Sequence, residues 1–159
     1  MINVYDIAVF LATIDLPYLD ERDMIQRLHF DLNTQESLTD FMIKVDEQIE
    51  LLDTQVVKEM SQMKIELISC HFEKDMAHYL KVMKLRMQYT EADYVKIKLR
   101  TLLKQLGYKR RSDKLVSELT EMFHELGLVV FKKGGILAEL SELPLDEFMT
   151  IRLRSESDV

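Results

Sequence analysis

Glycine and proline are scarce in this chain of 159 residues, which contains four glycines and two prolines. No glycine precedes Gly107, and Pro17 is the only proline before Pro144. Because glycine and proline are the residues that most often interrupt regular structure, the first two thirds are predicted to form long helices. The same absence excludes a glycine-rich phosphate-binding loop from that region.

Cysteine and long apolar runs are also nearly missing. Cys70 is the only cysteine, so no intramolecular disulfide can form and a reducing compartment is expected. The apolar residues 2–14 include Asp6 and lack a basic flank, which favours a buried first element over a signal peptide. No later run approaches the roughly 20 apolar residues that span a membrane. We therefore expect a cytoplasmic protein with no membrane partner.

Charge is distributed unevenly along the chain, whose formal net charge is −7. Residues 1–75 carry 16 acidic and 6 basic side chains, whereas residues 96–114 carry 1 acidic and 8 basic ones. A short basic segment in an acidic protein indicates an anionic partner.

Residues 33–88 have the pattern of a long helical segment, for which Asn33 or Ser37 can serve as the N-cap. Apolar residues recur mostly at alternating steps of four and three: Leu38, Met42, Val45, Ile49, Leu52, Val56, Met60, Met63, Leu67 and Cys70, and then Phe72, Met76, Leu80, Met83 and Met87. We call this apolar stripe the 38–87 seam. An unbroken helix of this length would span roughly 80 Å, so the segment either folds back as a helical hairpin or projects as a coiled coil. The seam packs within its own domain, or it binds a second copy or another protein.

The last third is predicted to contain shorter elements. A first helix ends at Gly107, with an apolar face formed by Val95, Leu99, Leu102 and Leu106. Its basic stripe consists of Lys96, Arg100 and Lys104. A second helix begins after the N-cap Ser112 and ends at Gly127. Two β-prone runs then flank Gly134 and Gly135 as a two-residue hairpin turn, and residues 147–153 add a third strand.

The predicted fold class is mainly α. Residues 1–90 form a helical assembly region, and residues 91–155 form a winged-helix-like α+β module with a C-terminal β-hairpin. Residues 95–153 resemble a winged-helix module. The turn and the residues that follow are similar to the tails of bacterial restriction and anti-phage defence proteins, on the basis of Gly107, Tyr108, Arg110, Arg111, Ser112, Gly127 and Leu128. This resemblance implies DNA binding or complex assembly, without catalytic chemistry.

The second helix exposes Glu118, Glu121 and Glu125, which would repel phosphates in a DNA groove. Contact with double-stranded DNA is therefore expected at the backbone, without reading of sequence. The candidate nucleic-acid-binding residues are Lys96, Arg100, Lys104, Lys109, Arg110, Arg111, Lys114, Lys132 and Lys133. Alternatively, the same basic surface docks on an acidic partner subunit or is simply solvated.

Catalytic and metal-binding patterns are weak. His71, Asp75 and His78 share one helical face beside Cys70, but a polar helix face explains them better than a metal site. Arg22 and His29 have the loose spacing of HEPN-type ribonucleases, which makes a small ribonuclease a distant alternative. The sequence predicts a non-enzymatic accessory or scaffold subunit of a bacterial nucleic-acid-handling complex, with no cofactor. The runner-up is a protein–protein adaptor.

Overall fold

The computed structural model describes residues 2–13, 20–51, 76–90 and 93–155. The chain divides into two compact units, Met1–Gln62 and Met63–Val159. The functional division predicted between residues 90 and 91 stays a prediction. Among the described residues, no helix combines the length and the apolar character that crossing a bilayer requires.

The N-terminal unit contains three helices, α1 (Val4–Thr13), α2 (Glu21–Leu32) and α3 (Leu38–Leu51). Helix α3 packs against both α1 and α2. Its residues Phe41 and Val45 are fully buried. Burial of such side chains stabilises each unit by roughly 1.5–3 kcal/mol per residue, before the entropy of ordering the chain is counted.

Local capping determines where the N-terminal helices begin. The Asn3 amide donates to the Asp6 carboxylate at 2.8 Å, and the Asp6 amide donates to the Asn3 side-chain oxygen at 2.9 Å, a reciprocal capping pair. Ser37 accepts a hydrogen bond from the Asp40 amide at 3.1 Å. Asn33 instead ends α2 in the left-handed conformation, with φ of 49°. Of the two predicted N-caps for α3, Ser37 is therefore confirmed.

The 38–87 seam is described only at its two ends. In α3, Val45 is buried and Met42 and Ile49 are half-buried. The part of the seam in residues 52–75 lies outside the described residues, so its coiled-coil or hairpin form stays a prediction.

The C-terminal unit combines helices with a small antiparallel sheet. Its elements in chain order are α4 (Met76–Tyr89), β1 (Tyr94–Lys98), α5 (Leu99–Gln105), α6 (Asp113–Leu126), β2 (Leu128–Lys132), β3 (Ile136–Ala138), a 3-10 helix (Leu140–Glu142) and β4 (Phe148–Leu153). The strand order across the sheet is β1-β4-β2-β3. Helix α4 packs against α6 and β4, and α6 also packs against β2. The described chain is thus mostly helical, with a four-stranded sheet near its C-terminal end.

The prediction of a helix that begins near Val95 is wrong for residues 95–98. Strand β1 occupies Tyr94–Lys98, and helix α5 begins only at Leu99. In β1, the buried Val95 and Ile97 alternate with lysines, and this period of two matches a half-buried strand. Val95 pairs with Ile151 of β4. Lys96 therefore lies on a strand and not on a helical stripe with Arg100 and Lys104.

The predicted turn between the two helices is confirmed. Gly107 has φ of 87°. Its amide donates to the Lys104 carbonyl at 3.0 Å, and the Tyr108 amide donates to the Leu103 carbonyl at 2.9 Å. These two bonds form the Schellman motif that ends helices at a left-handed glycine. Ser112 then caps α6 by accepting from the Leu115 amide at 3.1 Å.

The predicted hairpin and third strand are also present, with one correction to the turn. Lys132 pairs with Ile136, so the turn contains the three residues 133–135 and not two. Gly134 and Gly135 both have positive φ, at 89° and 71°, which is the conformation that favours glycine. Strand β4 lies between β1 and β2.

Candidate nucleic-acid interface

The two faces of the sheet differ in character. The inner face is apolar and buried, and it includes Val95, Ile97, Met149 and Ile151. Because side chains alternate along a strand, the residues between them point to the opposite face. That outer face carries Tyr94, Lys96 and Lys98 from β1, Phe148, Thr150 and Arg152 from β4, and Phe131 from β2.

An open groove of about 800 Å³ runs over this outer face. We call it the sheet groove. Five basic residues line it: Lys96, Lys98, Lys132, Lys133 and Arg152. Two carboxylates, those of Asp146 and Glu147, line it as well. The groove is therefore net positive in a protein whose formal net charge is −7, and it attracts anions.

Phe148 is a large aromatic side chain left open to solvent in the sheet groove, with 52% of its surface exposed. The ammonium nitrogens of Lys96 and Lys98 lie 5.4 Å and 5.1 Å from its ring centroid. At these distances the ring attracts both cations. The groove thus presents an aromatic surface bordered by two positive charges.

A second aromatic surface is formed by Phe131 and Arg152. The guanidinium carbon of Arg152 lies 4.4 Å from the Phe131 ring centroid. The same guanidinium donates through Nη1 to the Leu153 carbonyl at 3.2 Å. Because a guanidinium is planar and weakly hydrated, it can hold its charge against the ring and still face an anion.

The Asp146 carboxylate at the groove is paired with Arg100. Arg100 donates to both carboxylate oxygens, at 2.7 Å and 3.1 Å. This bond lowers the pKa of Asp146 below its usual range and raises that of Arg100. The pair offsets the Asp146 charge, so this carboxylate opposes an incoming anion less than an unpaired one would.

The nine predicted contact residues fall into separate groups. Lys96, Lys132 and Lys133 line the sheet groove. Four others line a second depression, of about 470 Å³, beside Leu145: Arg100, Lys104, Lys109 and Arg111. Arg110 is exposed in the turn, and Lys114 is exposed near the start of α6.

Arg111 has a structural partner that the sequence did not predict. Its Nη1 donates to the Leu143 carbonyl, and this contact anchors the 108–112 turn to the segment before β4. A guanidinium that is held in this way is less available for a phosphate than Lys109 or Arg110, for which no such contact is found among the residues that the structure describes.

Lys98, Phe131, Phe148 and Arg152 belong to the groove but were missed in the sequence analysis. The signal that could have found Lys98 is the alternation of β1, where exposed and buried residues follow each other from Tyr94. The alternation of β4 carries the same signal for Phe148 and Arg152.

The exposed face of α6 is acidic, as predicted. Glu118, Glu121 and Glu125 are all solvent-exposed. A helix that presents three carboxylates is a poor fit to the phosphates that flank a DNA groove. Apart from Lys114 in its first turn, α6 carries no lysine or arginine, so anion contact is expected on the sheet and not on α6.

Of the four residues considered as metal ligands in the sequence, the structure describes only His78. Cys70, His71 and Asp75 lie outside the described residues, and His78 is buried on α4. Among the described residues, no group of three His, Cys, Asp or Glu side chains could hold a metal ion.

The two candidate ribonuclease residues lie seven positions apart on α2, and one of them has a structural role. The Nε2 of His29 is within hydrogen-bond distance of the Glu36 carbonyl, at 2.7 Å, and its ring centroid lies 5.3 Å from that of Phe41. His29 therefore links α2 to the α2–α3 connection and to α3. Arg22 is exposed near the start of α2.

Comparison of the chain with models of known protein families, with curated protein sequences and with solved structures found no match.

Proposed function

We propose that the C-terminal unit binds the phosphate backbone of nucleic acid without sequence specificity. In this proposal the protein is a non-enzymatic accessory or scaffold subunit of a nucleic-acid-handling complex, of the kind used in anti-phage defence. The observation that carries the proposal is the sheet groove, an open depression that five basic residues line in an acidic protein.

The chemistry of the groove favours phosphate contact over base reading. Lysine ammonium groups act as compact point charges and bind phosphates regardless of the base sequence. Four of the five cations are lysines, and Lys132 and Lys133 are exposed at the hairpin. Binding of this kind releases counterions from the nucleic acid and therefore weakens steeply with salt.

The element order gives further support to a winged-helix-like module. Helix α5, the 108–112 turn, the capped helix α6 and the β2–β3 hairpin follow one another as in that architecture. The acidic surface of α6 departs from a base-reading helix. We therefore assign nucleic-acid contact to the sheet and the hairpin, and we assign no base reading to α6.

The test compares two double variants that remove the same charge. Lys132→Gln with Lys133→Gln neutralises the hairpin end of the sheet groove, and Lys109→Gln with Arg110→Gln neutralises the 108–112 turn. We expect the first variant to weaken binding of a labelled DNA to a greater extent, by about tenfold at low salt, because each lost phosphate contact also removes its counterion release. Greater weakening in the turn variant would place the interface elsewhere and contradict this assignment.

A second candidate is a protein–protein adaptor, which the exposure of Leu51 favours. This side chain is 77% exposed at the end of α3, directly before the next residues of the 38–87 seam. A large apolar side chain left exposed is a feature of assembly surfaces. Light scattering over a range of concentrations would test it. Self-association that is abolished by Leu51→Glu would support an adaptor whose partner is a second copy of the chain. A molecular mass of one chain at every concentration would exclude a second copy as the partner.

A further inference from the structure

We propose that the sheet groove binds a single strand of nucleic acid, with bases stacked on Phe148 and on the Phe131–Arg152 pair and with phosphates at the surrounding lysines. This inference rests on the proposed function and specifies the ligand class of the same groove. The proposed function requires only cations, whereas the single-strand assignment also requires the aromatic rings.

The aromatic side chains point to unpaired bases. Phe148 is 52% exposed, and Tyr94, on the same outer face, is 59% exposed. In a duplex the flat faces of the bases are stacked on one another, and only their edges are presented in the grooves. An aromatic ring on an open sheet can stack on the face of a base only when the nucleic acid is single-stranded. Stacking on exposed aromatic side chains is the general means by which proteins hold single strands without reading their sequence.

The cations are placed on both sides of these rings. Phe148 and Arg152 lie on β4, which has β1 on one side and β2 on the other. Lys96 and Lys98 project from β1, and Lys133 lines the groove from the turn that follows β2. Because neighbouring strands are about 4.8 Å apart, the backbones of β1 and β2 are separated by about 10 Å across the sheet. A single strand lying along β4 would therefore have cations within reach of its phosphates on either side.

The Arg152 guanidinium offers a second planar surface on which a base can stack. The Arg152 guanidinium lies 4.4 Å from the centre of the Phe131 ring. Bases stack on arginine planes as well as on aromatic rings. The pair can therefore serve as a second platform beside Phe148, so we expect two or three bases to be held at once.

An acidic peptide is the competing occupant, because its carboxylates would also satisfy the lysines. An acidic peptide gives no role to the exposed Phe148 ring, whose centroid lies 5.1 Å and 5.4 Å from the ammonium groups of Lys98 and Lys96. A base stacked on that ring, with its own phosphate at the lysines, uses both features at once.

The first experiment uses the full chain and labelled probes of roughly 12 nucleotides. Fluorescence anisotropy would compare oligodeoxythymidylate, oligouridylate, an abasic strand with the same number of phosphates, and a duplex of the same length. We expect either base-bearing single strand to bind at least tenfold more tightly than the abasic strand and the duplex at one salt concentration. Whichever of the two base-bearing strands binds more tightly identifies DNA or RNA as the preferred ligand.

The second experiment tests the contribution of the Phe148 ring to binding. Phe148→Ala should weaken binding of the base-bearing strand by about five- to tenfold and leave the abasic strand unchanged. Phe148→Tyr should retain the affinity because it keeps an aromatic face. Phe30→Ala is the matched control, since Phe30 is 82% exposed in the N-terminal unit and should have no effect. An upfield shift of the Phe148 ring protons on addition of oligodeoxythymidylate would report stacking directly.

The outcomes separate this inference from the proposed function. Equal affinity for abasic and base-bearing strands, preference for the duplex, or an unaffected Phe148→Ala variant would overturn the single-strand assignment and leave backbone binding intact. No binding of any nucleic acid at low salt would overturn both. Binding of polyglutamate in that case would identify the groove as a site for acidic protein.

Discussion

At the scale of single residues, the ion pair at the border of the sheet groove makes a prediction about pH. Arg100 donates two hydrogen bonds to the Asp146 carboxylate, and these lower the pKa of Asp146 below its usual range. The charged pair therefore stabilises the fold above the ordinary pKa of an aspartate, and this contribution is lost as the pH falls through the lower pKa of the folded state. We expect Asp146 to titrate below the usual aspartate range in an NMR titration of its carboxyl carbon.

The control for this titration is Arg100→Gln, which removes the guanidinium and should return the pKa of Asp146 toward its ordinary value. An Asp146 that titrates in the usual range in the parent protein would show that the ion pair does not persist in solution.

A second residue-scale prediction concerns the cap of α6. Ser112 accepts a hydrogen bond from the Leu115 amide at 3.1 Å, so Ser112→Ala leaves this amide without its side-chain partner. We expect the free energy of unfolding to fall by about 1 kcal/mol in urea denaturation. Ser117→Ala is the matched control. Ser117 is exposed in the interior of the same helix, and alanine there should be neutral or slightly stabilising. Equal effects of the two substitutions would contradict the capping role.

At the scale of elements, strand β1 can be distinguished from the helix that the sequence pattern favoured. Ile97 is 2% exposed and pairs with Met149 of β4. Ile97→Ala is therefore expected to lower the free energy of unfolding by about 2–4 kcal/mol, through lost burial and the cavity left behind. A continuous helix from Val95 would place Ile97 off the apolar face and make this substitution nearly neutral.

Lys96→Ala is the control for this prediction, because Lys96 is exposed on the same strand and should change stability by less than about 0.5 kcal/mol. Chemical denaturation of both variants under one set of conditions gives the comparison. A small effect of Ile97→Ala would rule out the strand.

Helix ends and strand β1 differ in how well the sequence alone could predict them. Helix ends were predictable because their signals are local: Gly107 at a left-handed position, and Ser112 three residues before the amide that it caps. Strand β1 was not predictable in the same way. Val95, Leu99, Leu102 and Leu106 also satisfy the helical period, and the residues that pair with β1 lie about fifty positions later in β4.

The candidate site was only partly predictable, for the same reason. Lys132 and Lys133 stand out as a pair beside two glycines, and Lys96 belongs to the basic segment. The rings of Phe131 and Phe148 acquire a role only once β4 is placed between β1 and β2. Such placement depends on contacts that are distant in sequence, which local patterns do not contain.

At the scale of the whole molecule, charge differs between the two units. Residues 1–62 carry 13 acidic and 4 basic side chains, whereas residues 63–159 carry 15 and 17. The acidic unit therefore repels the same polyanion that the sheet groove attracts. We expect a fragment of residues 63–159 to unfold cooperatively on its own and to bind labelled nucleic acid more tightly than the full chain at low salt.

The difference between fragment and full chain should shrink as salt rises, because dissolved ions screen electrostatic repulsion between exposed charges and the polyanion. Circular dichroism establishes that the fragment is folded before its affinity is measured. A folded fragment with the same affinity as the full chain at every salt concentration would contradict this electrostatic effect.

The most direct test of the central claim is the salt dependence of binding by the full chain. Fluorescence anisotropy with a labelled single strand, repeated between about 50 and 200 mM salt, measures how many phosphates the protein neutralises. With three to five cations of the sheet groove in contact, the logarithm of the affinity should fall against the logarithm of salt with a slope of about −2 to −3.5. A slope near zero, or no binding at the lowest salt, would contradict the assignment of the sheet groove as a nucleic-acid interface.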